Sequence, residues 1–433
     1  MGATGNSRGL NLSAAASDQE GRASPNELTM AASAPSRRPD DSFRSALAAS
    51  NFLIETRPSA RAFSDRGNLY ETASDYAHAI ADYTRAIEID PAAADAYFDR
   101  GLAHALADAY ELATRDLSRT IELKPGWIHA YFLRGNVHGF MGNHARAIAD
   151  FTKAIELEPA HAHALLSRGT VLETQGDHDA ALADYNAALA LDEDLSAAYY
   201  GRGNIHRDRG EYRRALAEYT EAIERSPKAA HAYNNRGIVY DMLGDYERSI
   251  SDYNASIALD PTESSTFNNR GYAYKLKGDI DRALPDYDKA IELDPRCAIA
   301  YINRGIAYYR KDQFDVAIKD FTRAIEHQAP AEKLAVAYVN RGHCWYMKRE
   351  TERALADYNR SIALDPDDAS AYAQRASLYE VKEEYARAIA DYNRAIAIEP
   401  QQPEFYVSRG VIYLRNIRLL RAAADFYRAF KLL

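Results

Sequence analysis

Arginine recurs in this chain with an acid at a fixed distance behind it. Arg66, Arg100, Arg134, Arg168, Arg202, Arg236, Arg270, Arg304, Arg341, Arg375 and Arg409 are followed, each sixteen residues later, by Asp82, Asp116, Asp150, Asp184, Glu218, Asp252, Asp286, Asp320, Asp357, Asp391 and Asp425. A guanidinium presents a planar fork of donors that matches a carboxylate, and a half-buried arginine without a partner is costly. The offset predicts a ladder of ion pairs, each locking two elements together. The competing chemistry is a row of arginines gripping an anionic ligand.

Asparagine forms a second series. Asn235, Asn269, Asn303 and Asn340 stand just before four successive arginines, and Asn234 and Asn268 precede two of them. An amide both donates and accepts, so such a row can hold the backbone of an extended peptide without reading its side chains. The alternative is that each amide bonds its own helix or a neighbouring turn. Asn68, Asn136 and Asn204 make a shorter series, two residues after the arginine.

Catalytic patterns are absent: there is no phosphate-binding glycine loop, nucleophile elbow or HExxH. Twelve histidines are scattered, and several (His104, His138, His206) occupy a slot that elsewhere holds an aromatic ring. No His pair acquires a convincing third ligand, so neither metal nor cofactor is expected. These residues point to binding rather than catalysis.

The elements that carry these series repeat. The arginine returns every 34 residues from Arg66 to Arg304, then after 37 at Arg341, then again after 34. A fixed period of this length signals a solenoid, in which each unit stacks on its neighbours. In the clearest unit, Tyr233, Gly237 and Tyr240 share one helical face, Gly244 ends that helix, and Asp245 caps the next. Ser249, Tyr253, Ser256 and Ile257 trace the buried stripe of the second helix, which Pro261 stops. Helices joined this closely pack antiparallel.

The order of large aromatic, small residue, second aromatic, Ala, aromatic, Ala and Pro, seen as Tyr199, Gly203, His206, Ala215, Tyr219, Ala222 and Pro227, resembles the tetratricopeptide repeat. The arginine is a departure, since the family usually has Leu there. The resemblance implies an all-α fold, an α-α superhelix of helix pairs whose first helices line a concave groove that binds peptides or proteins. In similar arrays attached to O-linked N-acetylglucosamine transferases, asparagines in the Asn235 slot form a ladder along the groove. Family members that clamp a C-terminal carboxylate use an asparagine in the Asn204 slot, but Ser64, Phe98, Phe132 and Tyr200 stand where that clamp wants lysine. The groove candidates are therefore Asn234, Asn235, Asn268, Asn269, Asn303, Asn340 and Asn204.

Composition narrows the partner. A net charge of −10 disfavours nucleic acid, which needs a cationic surface. No stretch has the roughly 18 apolar residues of a membrane span, and no apolar signal core opens the sequence. Two cysteines, Cys297 and Cys344, make no disulfide framework, and a cytoplasmic location is expected. The leading reading is a non-enzymatic scaffold for peptide or protein segments. The alternatives are a targeting or regulatory subunit of a separate enzyme and, less favoured, a nucleic-acid-binding helical-repeat protein.

Residues 1–40 lack helical periodicity and read as a disordered tail; 41–59 read as a degenerate capping half-repeat; 60–433 read as eleven units starting near 60, 94, 128, 162, 196, 230, 264, 298, 335, 369 and 403. Three edits break the pattern. His327–Ala331 is expected to be a longer connection, and Pro285 should kink a second helix. The array ends without a further helix, so Phe426, Phe430, Leu432 and Leu433 are expected to leave an apolar face for self-association or a partner.

Overall fold

The computed structural model of the protein describes residues 41–327 and 330–432. The expected tail, Gln328, Ala329 and Leu433 lie outside the described residues. The described residues form 23 α-helices and no strand. Two compact units divide between Ala232 and Tyr233.

The first unit holds α1 (Asp41–Thr56), α2 (Ala60–Thr72), α3 (Tyr76–Ile89), α4 (Ala94–Leu106), α5 (Tyr110–Leu123), α6 (Ile128–Phe140), α7 (His144–Leu157), α8 (Ala162–Thr174), α9 (His178–Leu191), α10 (Ser196–Asp208) and α11 (Tyr212–Arg225). Helix α12 (Ala230–Met242) contains the division. The second unit continues with α13 (Tyr246–Leu259), α14 (Ser264–Leu276), α15 (Ile280–Leu293), α16 (Ala298–Arg310), α17 (Phe314–Glu326), α18 (Ala331–Met347), α19 (Thr351–Leu364), α20 (Ala369–Val381), α21 (Tyr385–Ile398), α22 (Pro403–Arg415) and α23 (Leu419–Leu432).

From α2 onward, even-numbered first helices pack against the odd-numbered second helices that follow them. Glycine makes the close approach possible. A Cβ at Gly237 would lie 2.7 Å from Cε1 of Tyr253, a ring with none of its surface exposed. Alanines and tyrosines make up most of the buried apolar residues, so the core is thin and repeated along the stack.

The turns follow from local chemistry. Gly244 takes a left-handed φ of +77°, and the Asp245 carboxylate accepts from the Arg248 amide at 3.1 Å as an N-cap. Ser74, Asp108, Asp312, Arg349, Glu383 and Ile417 hold the same left-handed turn without glycine.

First helices of neighbouring pairs also touch: α2 with α4, α4 with α6, α6 with α8 and α8 with α10 in the first unit, and α14 with α16, α16 with α18 and α18 with α20 in the second. Among the described residues, second helices make no comparable contact with each other. Within each unit the first helices are therefore the closely spaced inner row.

One expectation needs correction. The 37-residue step does not go into a longer connection. It lengthens α18 to 17 residues, against 13 in α16, while 327–330 separate α17 from α18 as 260–263 separate α13 from α14. Extending a helix keeps every added amide in the ladder, which a longer loop does not. Pro285 lies inside α15, which continues through it to Leu293 and packs against α14 and α16.

Candidate functional site

The arginine ladder is built as the spacing predicts. Arg270 donates from Nε and Nη2 to Asp286 at 2.9 and 2.6 Å, and its side chain is 20% exposed against 8% for the acid. The same two-armed fork joins all eleven arginines to their acids. Ten of the eleven guanidiniums also lie near the ring three residues earlier, as Arg236 does at 5.6 Å from the Tyr233 centroid; Arg168 follows Leu165 instead. The fork raises the Arg270 pKa through its bond to Asp286, so the group stays charged.

A third arm was not anticipated. Nη1 of Arg100, Arg134, Arg168 and Arg270 reaches back to Thr84, Ser118, Thr152 and Asn254, on the second helix of the preceding pair. One arginine thus ties three helices. The spacing is again sixteen, but the acceptor varies among Thr, Ser, Asn and Asp, which hid the pattern.

The candidate asparagines are drawn mostly into the protein. Asn269 Nδ2 donates to Asn234 Oδ1 at 3.1 Å, and Asn303 Nδ2 donates to Asn268 Oδ1 at 2.9 Å. Asn234 and Asn235 share a bond at 3.2 Å, and Asn268 and Asn269 one at 3.5 Å. Asn234, Asn235, Asn268, Asn269 and Asn303 are all buried. They form a chain of amides across α12, α14 and α16. Asn340 is separate, donating to the Val336 carbonyl of its own helix at 2.8 Å. Asn204, in the first unit, donates to Glu173 at 3.1 Å and accepts from the Tyr219 hydroxyl at 2.8 Å.

A different slot carries charge into the inner row. Five residues after the arginine stand Glu71, Glu173, Arg207, Asp241, Lys275 and Glu380, where other pairs have small, apolar or aromatic residues. In the first unit these charges are satisfied. Glu173 accepts from the Tyr185 hydroxyl at 2.5 Å, and burial pushes its carboxyl above the usual range. Arg207 pairs with Asp208 at 2.8 Å.

In the second unit they are less satisfied. Asp241 is 6% exposed; its Oδ2 accepts from the Tyr253 hydroxyl at 2.7 Å, while Oδ1 accepts no hydrogen bond. Burial pushes its carboxyl up to about 6, against the lowering effect of the Ser249 and Tyr253 hydroxyls. Lys275 is also 6% exposed, with Nζ 4.0 Å from the Tyr272 centroid and 3.5 Å from Asn303 Oδ1. Burial, with Arg310 nearby, pushes its ammonium down to about 7. The buried Tyr287 hydroxyl has no partner. Sequence reasoning missed this cluster; its only signal was the change of charge sign from Asp241 to Lys275 in an otherwise constant frame.

Family profiles described as tetratricopeptide repeat match residues 132–196, 200–264, 264–297, 298–329 and 335–368, and one described as TPR repeat matches 67–107 and 381–416. The chain belongs to the tetratricopeptide-repeat family.

No curated protein matches the repeat chain. Among solved structures, it is similar to an APC/C hetero-tetramer, Cut9–Hcn1 (14% identity, 90% of this chain and 93% of that chain covered, TM-score 0.46). It is also similar to a tetratricopeptide-repeat protein from Parabacteroides merdae (21% identity, 58% and 98% covered, TM-score 0.45). A third is yeast Tom70 (17% identity, 86% and 92% covered, TM-score 0.42).

Elsewhere on the repeats, Phe426 and Phe430 are 36% and 75% exposed on α23, and Leu432 is half-buried. No helix among the described residues is long and apolar enough to cross a membrane.

Proposed function

We propose that this repeat protein is a non-enzymatic cytoplasmic scaffold that holds a peptide or protein segment along its inner row of first helices. One observation carries the reading. The ladder, the glycines and the tyrosines repeat almost unchanged, whereas the slot five residues after the arginine changes chemistry from pair to pair. A fold needs the constant residues; buried acids and cations scattered along one face are a cost to the fold alone. Cys297 and Cys344 form no disulfide among the described residues, which fits a reducing compartment.

The test is a photo-crosslinking residue placed either at Leu276, on the inner helix α14, or at Glu292, exposed on α15. A library of displayed peptides is expected to crosslink at 276 and not at 292. Equal labelling at both positions would overturn the reading.

Exposure of Leu420 (89%) and Phe430 (75%) favours a second reading for α23, association with a second copy of the chain. Light scattering should then report a dimer for the wild type and a monomer for Phe430→Glu. A monomeric wild type rules it out.

A further inference from the structure

Three groups on the second unit's inner row lack the partner their chemistry asks for. The first is Lys275 on α14: buried against the Tyr272 ring, with one amide oxygen at 3.5 Å and no acid in ion-pair reach among the described residues. The second is Arg310 on α16, exposed and, unlike the ladder arginines, making neither hydrogen bond nor ion pair among the described residues. It lies close enough to Lys275 for the two cations to repel. The third is the Tyr287 hydroxyl on α15, a buried donor with nothing to donate to. Lys275 lies over the Tyr272 ring and bonds Asn303 on α16, the helix that carries Arg310, and Arg310 and Asp241 both act on Tyr272 and Tyr287, so the five groups share one neighbourhood.

A buried ammonium next to a guanidinium is among the least favourable arrangements a fold can keep, unless something else supplies the anion. Two acids act on these groups, and both are engaged: Asp286 holds two arms of Arg270, Asp241 accepts from Tyr253, and neither forms an ion pair with Lys275 or Arg310 among the described residues. With Asp286 balanced by Arg270, two cations, one further acid and an unused hydroxyl leave room for one more negative charge.

We infer that Lys275 and Arg310, with the Tyr287 hydroxyl, form the specificity subsite of the inner row and receive a single acidic side chain, Asp or Glu, of an extended protein segment. This rests on the peptide-scaffold reading above. The subsite takes one acid and not an acidic run, because Asp241 one pair away and the chain's net charge of −10 repel further negative charge. An arginine and a lysine approaching from neighbouring helices fit a carboxylate oxygen each. The asparagine chain of Asn234, Asn269, Asn268 and Asn303 holds α12, α14 and α16 in register beside it.

The test is selection of a random 15-residue library, displayed inside a longer carrier so that no selected segment ends in a free carboxylate. The full chain is compared with Lys275→Met/Arg310→Gln. Wild type is expected to enrich one Asp or Glu at a fixed register at least fivefold, and the double variant to lose that enrichment. For a selected peptide, the double variant should weaken binding at least tenfold. The peptide's Glu→Gln analogue should bind both proteins equally, which isolates the contact. Thermal melting of the double variant, expected at or above the wild-type temperature, excludes loss of fold as the cause.

Peptides enriched without an acid preference would overturn the subsite and leave the scaffold standing. Enrichment of acidic runs would overturn the single-acid reading. Enrichment only when the carrier is cleaved, leaving a free C-terminus, would assign the site to a terminal carboxylate instead and overturn the side-chain assignment. No enriched peptide at all would remove the scaffold reading and the subsite with it.

Discussion

Asp286 receives two arms of Arg270 with little of its side chain in water, so removing one partner strands the other. Breaking such a pair costs about 3–5 kcal/mol, whereas replacing both members with apolar residues is often neutral. Asp286→Ala should therefore shift the urea midpoint strongly downward, and Arg270→Met/Asp286→Leu should restore most of it. A midpoint unmoved by Asp286→Ala would remove the ladder from the account of stability.

Lys275 gives a prediction of opposite sign. Its folded pKa is near 7, below the unfolded value of 10.5. As pH falls from about 10.5 to 7, the unfolded chain takes up a proton that the folded chain refuses, so stability drops through that window and the loss is complete below it. The groups facing this ammonium are the Tyr272 ring, the Asn303 amide oxygen and, among charged groups, Arg310; Arg310 and Asp241 also act on Tyr272 and Tyr287. Lys275→Met should melt higher than wild type at pH 7, and the gap should close by pH 10.5. A gap independent of pH would contradict the burial of a titrating amine.

At this scale the sequence was informative where one residue type recurs at one offset, as Arg and Asp do. It was uninformative where burial decides the role. Lys275 reads as a solvated helix position, and only the fold shows that it is buried. The Asn269–Asn234 bond spans 35 residues, one off the repeat, so reading the repeat in register could not pair them.

The elements tolerate local rule-breaking because neighbours hold them. Pro285 sits in the second turn of α15 and cannot donate to the Asp281 carbonyl, a defect of about 3 kcal/mol in an isolated helix. Pro285→Ala should raise the melting temperature by several degrees; a lower value would mean that packing has adapted to the ring. The turn before α23 offers a second case. Ile417 holds φ of +55°, a left-handed conformation unsuited to a β-branched residue, in the slot where Gly244 has +77°. Ile417→Gly should stabilise by about 1 kcal/mol, read as a higher urea midpoint.

Helix pairing was legible, and so were most helix boundaries, since caps and stops are local. The 37-residue step was misread for a physical reason: a Pro looks like loop in sequence, yet Pro330 is the N-cap of α18, where a missing N–H is harmless.

For the whole molecule, a stack held by nearest-neighbour ties should not behave as one cooperative block. Asp391→Ala should raise hydrogen-exchange rates in residues 369–432 and leave 60–160 unchanged. A uniform loss of protection along the chain would show that the two compact units open together.

The arginine's third arm also sets an order in time. Thr84 and Ser118 are synthesised sixteen residues ahead of Arg100 and Arg134, the groups that bond them. Each new first helix leaving the ribosome thus meets an acceptor already mounted on a finished pair. Its own carboxylate follows sixteen residues later to complete the fork. Growth from the N-terminus therefore carries only one guanidinium at a time awaiting its acid, and the nascent chain can settle pair by pair as it lengthens.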